Sequence, residues 1–447
     1  MKARVWSILL AIVLVSCTTF GQGGHSAAGA KGIVAFVHVN VIPMDRERVI
    51  EDQTVIVRDG RIAEIGATNK VKVPEGAQRV DGRGKYLMPG IAEMHGHLPH
   101  PNQGEAVANS FLTLFIANGI TTVRGMYGFP NHPAIREKIA KGELLGPRLY
   151  AASPALHGNA VKSPEDGEKL VREYKTAGFD LLKIHEGLSK ASYDRIVAVA
   201  NELGIPYGGH VPNDVGLLHA LKSRQSSIEH LDGYVEALET GDDLDEKKIP
   251  SLVKATLDAG AWGVPTQALW QAIYGNESVE SLRARPELKY IPPQMINQWV
   301  QQKTNQLNNA GDGKAGQKVL DMRDKVLKAL SDGGAKILLG SDAPQLFSVP
   351  GFSLMREMQV MAKAGMSPYK ILESGTRNPA IYLKAEKEFG TVEVGKVADL
   401  ILLDANPLAD IANMTKRSGV MVRGKWFSQS ELQKMLDDIA ASYTAKQ

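Results

Sequence analysis

Cysteine is almost absent: of 447 residues, only Cys17 is one. A single thiol excludes an intrachain disulfide framework and any zinc site built on cysteine pairs, so a metal must be held by histidine, carboxylate or modified lysine. Charge of one sign is also lacking, because Lys+Arg 52 against Asp+Glu 49 leaves a net +3, with no basic run along the chain. This removes the electrostatic footprint of a nucleic-acid binder and points to a small-molecule partner. A membrane-spanning length is missing from the apolar stretch that follows Lys2 and Arg4. Residues 5–15 are too few to cross a bilayer as a mature anchor, but they suit an export signal.

That stretch ends Leu14-Val15-Ser16-Cys17, which resembles the lipobox of bacterial lipoproteins, whose cysteine is lipidated and becomes the first mature residue. The resemblance implies export to the periplasm or outer membrane, with attachment through Cys17. Ordinary cleavage beyond Thr19-Phe20-Gly21 or Ala28-Gly29-Ala30 is the alternative. Residues 22–31, rich in Gly, Ala and Ser, then read as a tether.

The chain divides by its patterning. Residues 31–88 carry short β-type runs, most plainly 54–58 and 61–65 joined by Asp59-Gly60, a hairpin signal. Residues 385–429 return to strands at 399–404 and 420–427, so both chain ends are expected to pair into one small β-sandwich. Residues 430–447 read as a closing helix, with Ser430 and Gln433 as a capping box. Between them, residues 89–384 alternate strand-like runs with helical stretches. The runs fall at 86–94, 119–124, 148–153, 179–185, 205–210, 226–230, 261–266 and 335–341. Eight such repeats predict an α/β fold of the (β/α)8 TIM-barrel type. The connection at 267–332 is much longer than the others and reads as an insertion over the mouth or as surface decoration.

In such a barrel, chemistry sits at the carboxyl ends of the strands. Run one closes with Glu93-Met94-His95-Gly96-His97, run four with Leu182-Lys183-Ile184-His185, run five with Gly208-Gly209-His210, run six with Ile228-Glu229-His230 and run eight with Gly340-Ser341-Asp342. His95 and His97, two residues apart on an extended backbone, point to one side and can share an ion. Each further polar group would be costly at a buried strand end unless paired or coordinated. Lys183 follows Phe179, Leu181 and Leu182. Burial should lower its pKa and supply a neutral amine that adds carbon dioxide to form an anionic carbamate, a bridging ligand for two metals. A lysine that holds a substrate carboxylate, or one that forms a Schiff base, remains open at this point. His185 should face the same way as Lys183 and so contact substrate, while Arg124 and Tyr127 at the end of run two are candidates to grip a carboxylate. His25, His38, His100, His132, His157 and His219 are given no role.

With Met88-Pro89-Gly90 before His95-Gly96-His97, then Lys183, Gly209-His210-Val211-Pro212, Ser227-Ile228-Glu229-His230 and Gly340-Ser341-Asp342-Ala343, the chain resembles the amidohydrolase superfamily. The likeness is to the exported group related to imidazolonepropionase and to Xaa-Pro or Xaa-Arg dipeptidases. It continues through Thr376-Arg377-Asn378-Pro379-Ala380 and 390–396. Lys183 sets the chain apart from the single-metal members, and Glu93 stands where many relatives place aspartate. The resemblance implies one metal on His95, His97, Lys183 and Asp342, a second on Lys183, His210 and His230, and Asp342 as proton carrier. Two divalent ions are expected, zinc first, with manganese, iron or cobalt suited to the same donors. The activity implied is hydrolysis of an amide bond in a small carboxylate-bearing substrate such as an N-acyl amino acid or dipeptide. A lactonase or phosphotriesterase on the same site and a non-catalytic scaffold are the alternatives. A homo-oligomer is left open.

Overall fold

The computed structural model describes residues 32–444 except 242, 310 and 312. The expected export signal, Cys17, His25 and the tether lie outside these residues.

Both chain ends meet in one eight-stranded sheet. Its first strands are β1 (Ile33–Val41), β2 (Ile50–Arg58), β3 (Arg61–Ala67), β4 (Gln78–Asp81) and β5 (Tyr86–Pro89). Asp59 and Gly60 both adopt positive φ, 50° and 79°, and pair Arg58 with Arg61. This is the primed turn that an Asp-Gly dipeptide favours, because glycine enters the left-handed region without a Cβ penalty. β1 carries β4 alongside its first half and β5 alongside its second. β5 in turn pairs with the C-terminal strand Leu400–Leu403. The end region is therefore a single curled sheet rather than two separately bonded ones. Phe36 on β1 and Trp426 on the far edge strand Lys425–Ser428 meet edge to face at 5.1 Å across its apolar interior, although three strands lie between them in the sheet order.

The run at 86–94 does not form one strand. Gly90 N donates to Asp399 O in the end sheet, whereas Ile91 N donates to Gly119 O, so the chain changes partners at this glycine. β6 (Ile91–Gly96) then opens a parallel ladder with β7 (Ile120–Gly125) and β8 (Arg148–Ala151). A second parallel ladder contains β9 (Leu182–Ile184), β10 (Tyr207–Gly209) and β11 (Ser227–Glu229). After a short hairpin, β12 (Glu239–Thr240) and β13 (Asp243–Leu244), it adds β14 (Trp262–Val264) and β15 (Lys336–Ile337). Backbone bonds tie the ladders together at both edges. Ser153 N donates to Leu181 O and Leu156 N to Lys183 O on one side, and Met94 N to Leu339 O and Asp342 N to His95 O on the other. The end sheet is completed by β16 (Leu400–Leu403), β17 (Arg417–Val422) and β18 (Lys425–Ser428).

Helices pack against the ladders, and the largest apolar cluster joins strand residues such as Ile184 and Ile228 to helix residues such as Ile196 and Leu327. The helix expected near 430 runs Gln429–Thr444, but its cap differs from expectation. Ser428 accepts from Glu431 N, and Glu431 accepts from Ser428 N at 2.8 Å, so the reciprocal cap is formed by Ser428 and Glu431 rather than by Ser430 and Gln433. The long connection contains the helices Gln267–Tyr274, Val279–Arg283, Pro293–Asn309 and Lys314–Asp332. It is not mere decoration. Leu282, Leu288, Ile291 and Trp299 are buried with Phe111, Phe347 and Ile439, and Trp270 and Met295 reach the cavity described next.

Candidate metal centre

A cavity of about 510 Å³ opens where the parallel strands end, and His95, His97, Lys183, His185, His210, His230 and Asp342 all line it. The backbone explains how they converge. His230, directly after β11, and Asp342, in the segment that follows β15, both lie in the left-handed region, at φ 60° and 59°, and both side chains line the cavity. Gly209 has φ 137°, and a Cβ there would sit 2.1 Å from Ile184 O, so only glycine lets β10 run this close to β9 before His210.

Three imidazoles turn Nε2 toward one carboxylate. His97 Nε2 lies 2.5 Å from Asp342 Oδ1, His95 Nε2 3.6 Å from the same oxygen, and His230 Nε2 3.6 Å from Oδ2. Ligand atoms of His95, His230 and Asp342 all fall within 4.8 Å of one another. The opposite ring nitrogens are pinned from behind: His95 Nδ1 by Glu229 at 2.7 Å, His210 Nδ1 by Asp232 at 2.7 Å and His230 Nδ1 by Thr266 Oγ1 at 2.8 Å. The carboxylate partners assign the proton to Nδ1 of His95 and His210 and leave Nε2 with its lone pair. Burial holds His95 and His230 well below the usual histidine range and His210 down at about 3, so the rings are neutral at pH 7. Neutral imidazole is the metal-binding form. Lone pairs crowded on one carboxylate in a buried pocket repel unless a cation sits among them, and this donor set fits divalent metal.

Lys183 is 1% exposed, and burial lowers its pKa as expected. Tyr127 and His185 also line the cavity, with ring centroids 6.2 Å apart, and burial brings His185 to about 3.

Arg124 does not reach the cavity. Its guanidinium is fully buried below the mouth, donating to Glu229 Oε1 at 2.8 Å, Tyr382 Oη at 2.9 Å, Ser227 Oγ at 3.1 Å and, from Nε, Met94 O at 2.6 Å. The substrate-gripping role expected of it is corrected to a buried strut: Arg124 orients Glu229, which orients His95. Removing one partner of a buried ion pair leaves the other charge without compensation. Arg124→Met should therefore cost about 3–5 kcal/mol in urea unfolding, and Arg124→Met with Glu229→Gln should cost less than the two single changes added together. Strict additivity would dissolve the pair.

Among the described residues, Glu93 makes its hydrogen bonds to backbone and hydroxyl groups rather than to an imidazole. Its carboxylate accepts from His95 N and Ser341 N, both at 2.9 Å, and from Ser341 Oγ at 2.6 Å, which ties the end of β6 to the segment preceding Asp342. Asp232 and Thr266 escaped the sequence reading. Asp232, two residues beyond His230, offered a faint signal as an acid beside a ligand motif, and Thr266 offered none. Of the histidines assigned no role, His100 lines the cavity, His157 lies 6.3 Å from His185, and His132 is buried with both ring nitrogens unpartnered among the described residues.

The amidohydrolase family profile matches residues 86–427. The chain belongs to the amidohydrolase family. This amidohydrolase is similar to a dihydroorotase of Anaeromyxobacter sp. (strain K), 32% identical over 167 residues, or 35% of this chain and only 37% of that protein's length. Among solved structures it resembles a putative prolidase from Bifidobacterium longum, at 23% identity and TM-score 0.69, covering 91% of this chain and 99% of the other. It also resembles a Xaa-Pro dipeptidase with bound methionine in the active site, at 20% identity and TM-score 0.68, covering 89% and 100%. These two likenesses concern the fold.

Proposed function

We propose that the protein is a metal-dependent hydrolase that cleaves an amide C–N bond in a small molecule, dipeptides and N-acyl amino acids being the leading candidates. The observation that carries the reading is the convergence of four neutral or ring-nitrogen donors, a buried lysine and Asp342 on one cavity. Family membership and the likeness to prolidase and dipeptidase structures support it. We read the two edge-bonded ladders as one (β/α)8 barrel, which places the cavity at the carboxyl face where such barrels carry their chemistry.

One metal would be held by His95, His97, Asp342 and Lys183, and a second by His210, His230 and Lys183, with zinc the first choice. Lys183 would act as a carbamate formed from its neutral amine and carbon dioxide. Metals bound there supply activation of water and polarisation of the scissile carbonyl. Asp342 takes the proton of the attacking water and passes it to the leaving nitrogen as that bond breaks. Glu229, Asp232 and Thr266 hold the imidazoles in register throughout. Tyr127 and His185, with His100, Gln103, Glu186 and Gln345, are polar side chains lining the cavity that could meet the remainder of the substrate.

The alternatives are separated by one assay. The protein loaded with zinc or manganese should hydrolyse members of a panel of dipeptides and N-acyl amino acids, while lactones and phosphotriesters turn over more slowly. Turnover confined to either of the latter would move the reading to lactonase or phosphotriesterase, and no turnover with metal bound would favour a scaffold.

We also propose export, with Cys17 lipidated. No helix among the described residues is long and apolar enough to cross a membrane. Full-length protein should sediment with membranes after lysis, and Cys17→Ser should release it. Equal solubility of both would eliminate the anchor.

A further inference from the structure

Part of the cavity lining is apolar: Leu269, Trp270 and Ile273, from helix Gln267–Tyr274, and Met295, from helix Pro293–Asn309, stand beside the histidines, the Trp270 ring centroid 6.5 Å from that of His230. Leu269 and Ile273 are four residues apart and Trp270 is three before Ile273, so one helical face supplies all three. Among the described residues lining the cavity, Lys183 is the sole lysine or arginine.

This wall is built to stay in place. Glu357 accepts from Gln267 N at 2.8 Å and Ala268 N at 2.6 Å at the helix start, and Lys303 donates to Ala272 O and Gly275 O, both at 2.7 Å, at its end. A carboxyl group at the amino end and an amine at the carboxyl end satisfy the free N–H and C=O groups of the helix termini. Arg323 lies 4.3 Å from the Trp270 ring centroid while donating to Gln267 and Pro265 O, and Tyr274 stacks on Trp270 at 5.3 Å. A preformed apolar surface with few polar groups selects ligands by buried area and disfavours charge, whose hydration it cannot replace.

We infer that this wall is a specificity subsite, and that the preferred substrates carry a bulky, uncharged apolar side chain, aromatic or branched aliphatic, next to the scissile amide. The inference rests on the amide-hydrolase reading of the same cavity and narrows it. A small or cationic side chain would leave the wall wet or meet it unpaired, and a Leu or Phe side chain would cover it.

The test uses four probes, N-acetyl-L-phenylalanine, N-acetyl-L-leucine, N-acetylglycine and Nα-acetyl-L-lysine, with both binding and turnover measured. Binding is followed calorimetrically on metal-loaded Asp342→Asn protein, in which turnover should be slow. The Phe and Leu probes should bind at least about tenfold more tightly than the Gly and Lys probes. Adding Trp270→Ala, or Met295→Glu where the first variant does not fold, should cut that ratio below about threefold, and Met295→Glu should raise affinity for the Lys probe. Binding indifferent to the side chain, or an apolar preference unchanged in a folded wall variant, would overturn the subsite. Turnover by the wild type is read separately. Selective binding with no amide hydrolysed would sink the amide-hydrolase reading alone, whereas hydrolysis with no side-chain preference would sink the subsite alone.

Discussion

Lys183→Ala is expected to abolish hydrolysis, lower metal content from near two per chain and leave the fold intact. Lys183 is buried among His95, His210, His230 and Asp342 on the cavity floor, where an ammonium would oppose the binding of any cation. Burial favours its neutral amine, the form that adds carbon dioxide, and the resulting carbamate presents two oxygens where a lysine presents none. Shortening the side chain to a methyl group removes that bridge and opens space for a small carboxylate. Added acetate or propionate should therefore restore part of the activity and part of the bound metal in Lys183→Ala, with no effect on the wild type. A Schiff-base lysine would instead give a borohydride-trappable adduct, and a substrate-binding lysine would leave metal content untouched. Metal analysis of the purified variant, with and without carboxylate, distinguishes the three. Full metal occupancy without rescue would reduce the proposal to a single ion on His95, His97 and Asp342.

The site was legible in the sequence because its signal is local. A histidine, lysine or aspartate at the end of an apolar run is costly unless it is paired or ligated, and five such ends read in succession led to one mouth. Arg124 shows where that logic stops. It also closes an apolar run, but its partner is Glu229, more than a hundred residues away, and nothing local distinguishes a cation aimed into the cavity from one buried beneath it. The split at Gly90 was hidden for a similar reason: residues 86–94 are continuous in pattern, and only the partner strands, Leu400–Leu403 on one side and Ile120–Gly125 on the other, break them in two. The helix cap expected at Ser430 and Gln433 lies two residues earlier, at Ser428 and Glu431. It falls at Ser428 because β18 runs right up to that residue. For the insertion the sequence left two placements open, over the mouth or on the surface, and only tertiary packing shows that Leu269, Trp270, Ile273 and Met295 line the cavity.

Asp342→Asn should leave folding nearly unchanged and lower kcat by at least about a hundredfold. The backbone argument comes first. Asp342 sits at φ 59°, a conformation that asparagine tolerates as well as aspartate does, so this substitution avoids the strain that alanine would add. What changes is the chemistry at one atom. Asp342 Oδ1 faces the Nε2 atoms of His97 and His95, and Oδ2 faces that of His230, which puts the carboxylate where it can receive a proton from water at the centre of the site. An amide of the same shape keeps one acceptor oxygen but cannot take up that proton or deliver it to a leaving nitrogen. The loss should fall on kcat rather than KM, because Asp342 is not needed to seat the substrate's apolar side. A substrate whose leaving amine needs no proton, such as an activated anilide, should recover more of its rate in the variant than an alkyl amide does. Metal content measured on the same sample separates the two roles of the residue. Slow turnover with metal retained assigns proton transfer to Asp342, and slow turnover with metal lost assigns only ligation. Near-normal turnover of alkyl amides with metal bound would remove Asp342 from the chemistry altogether.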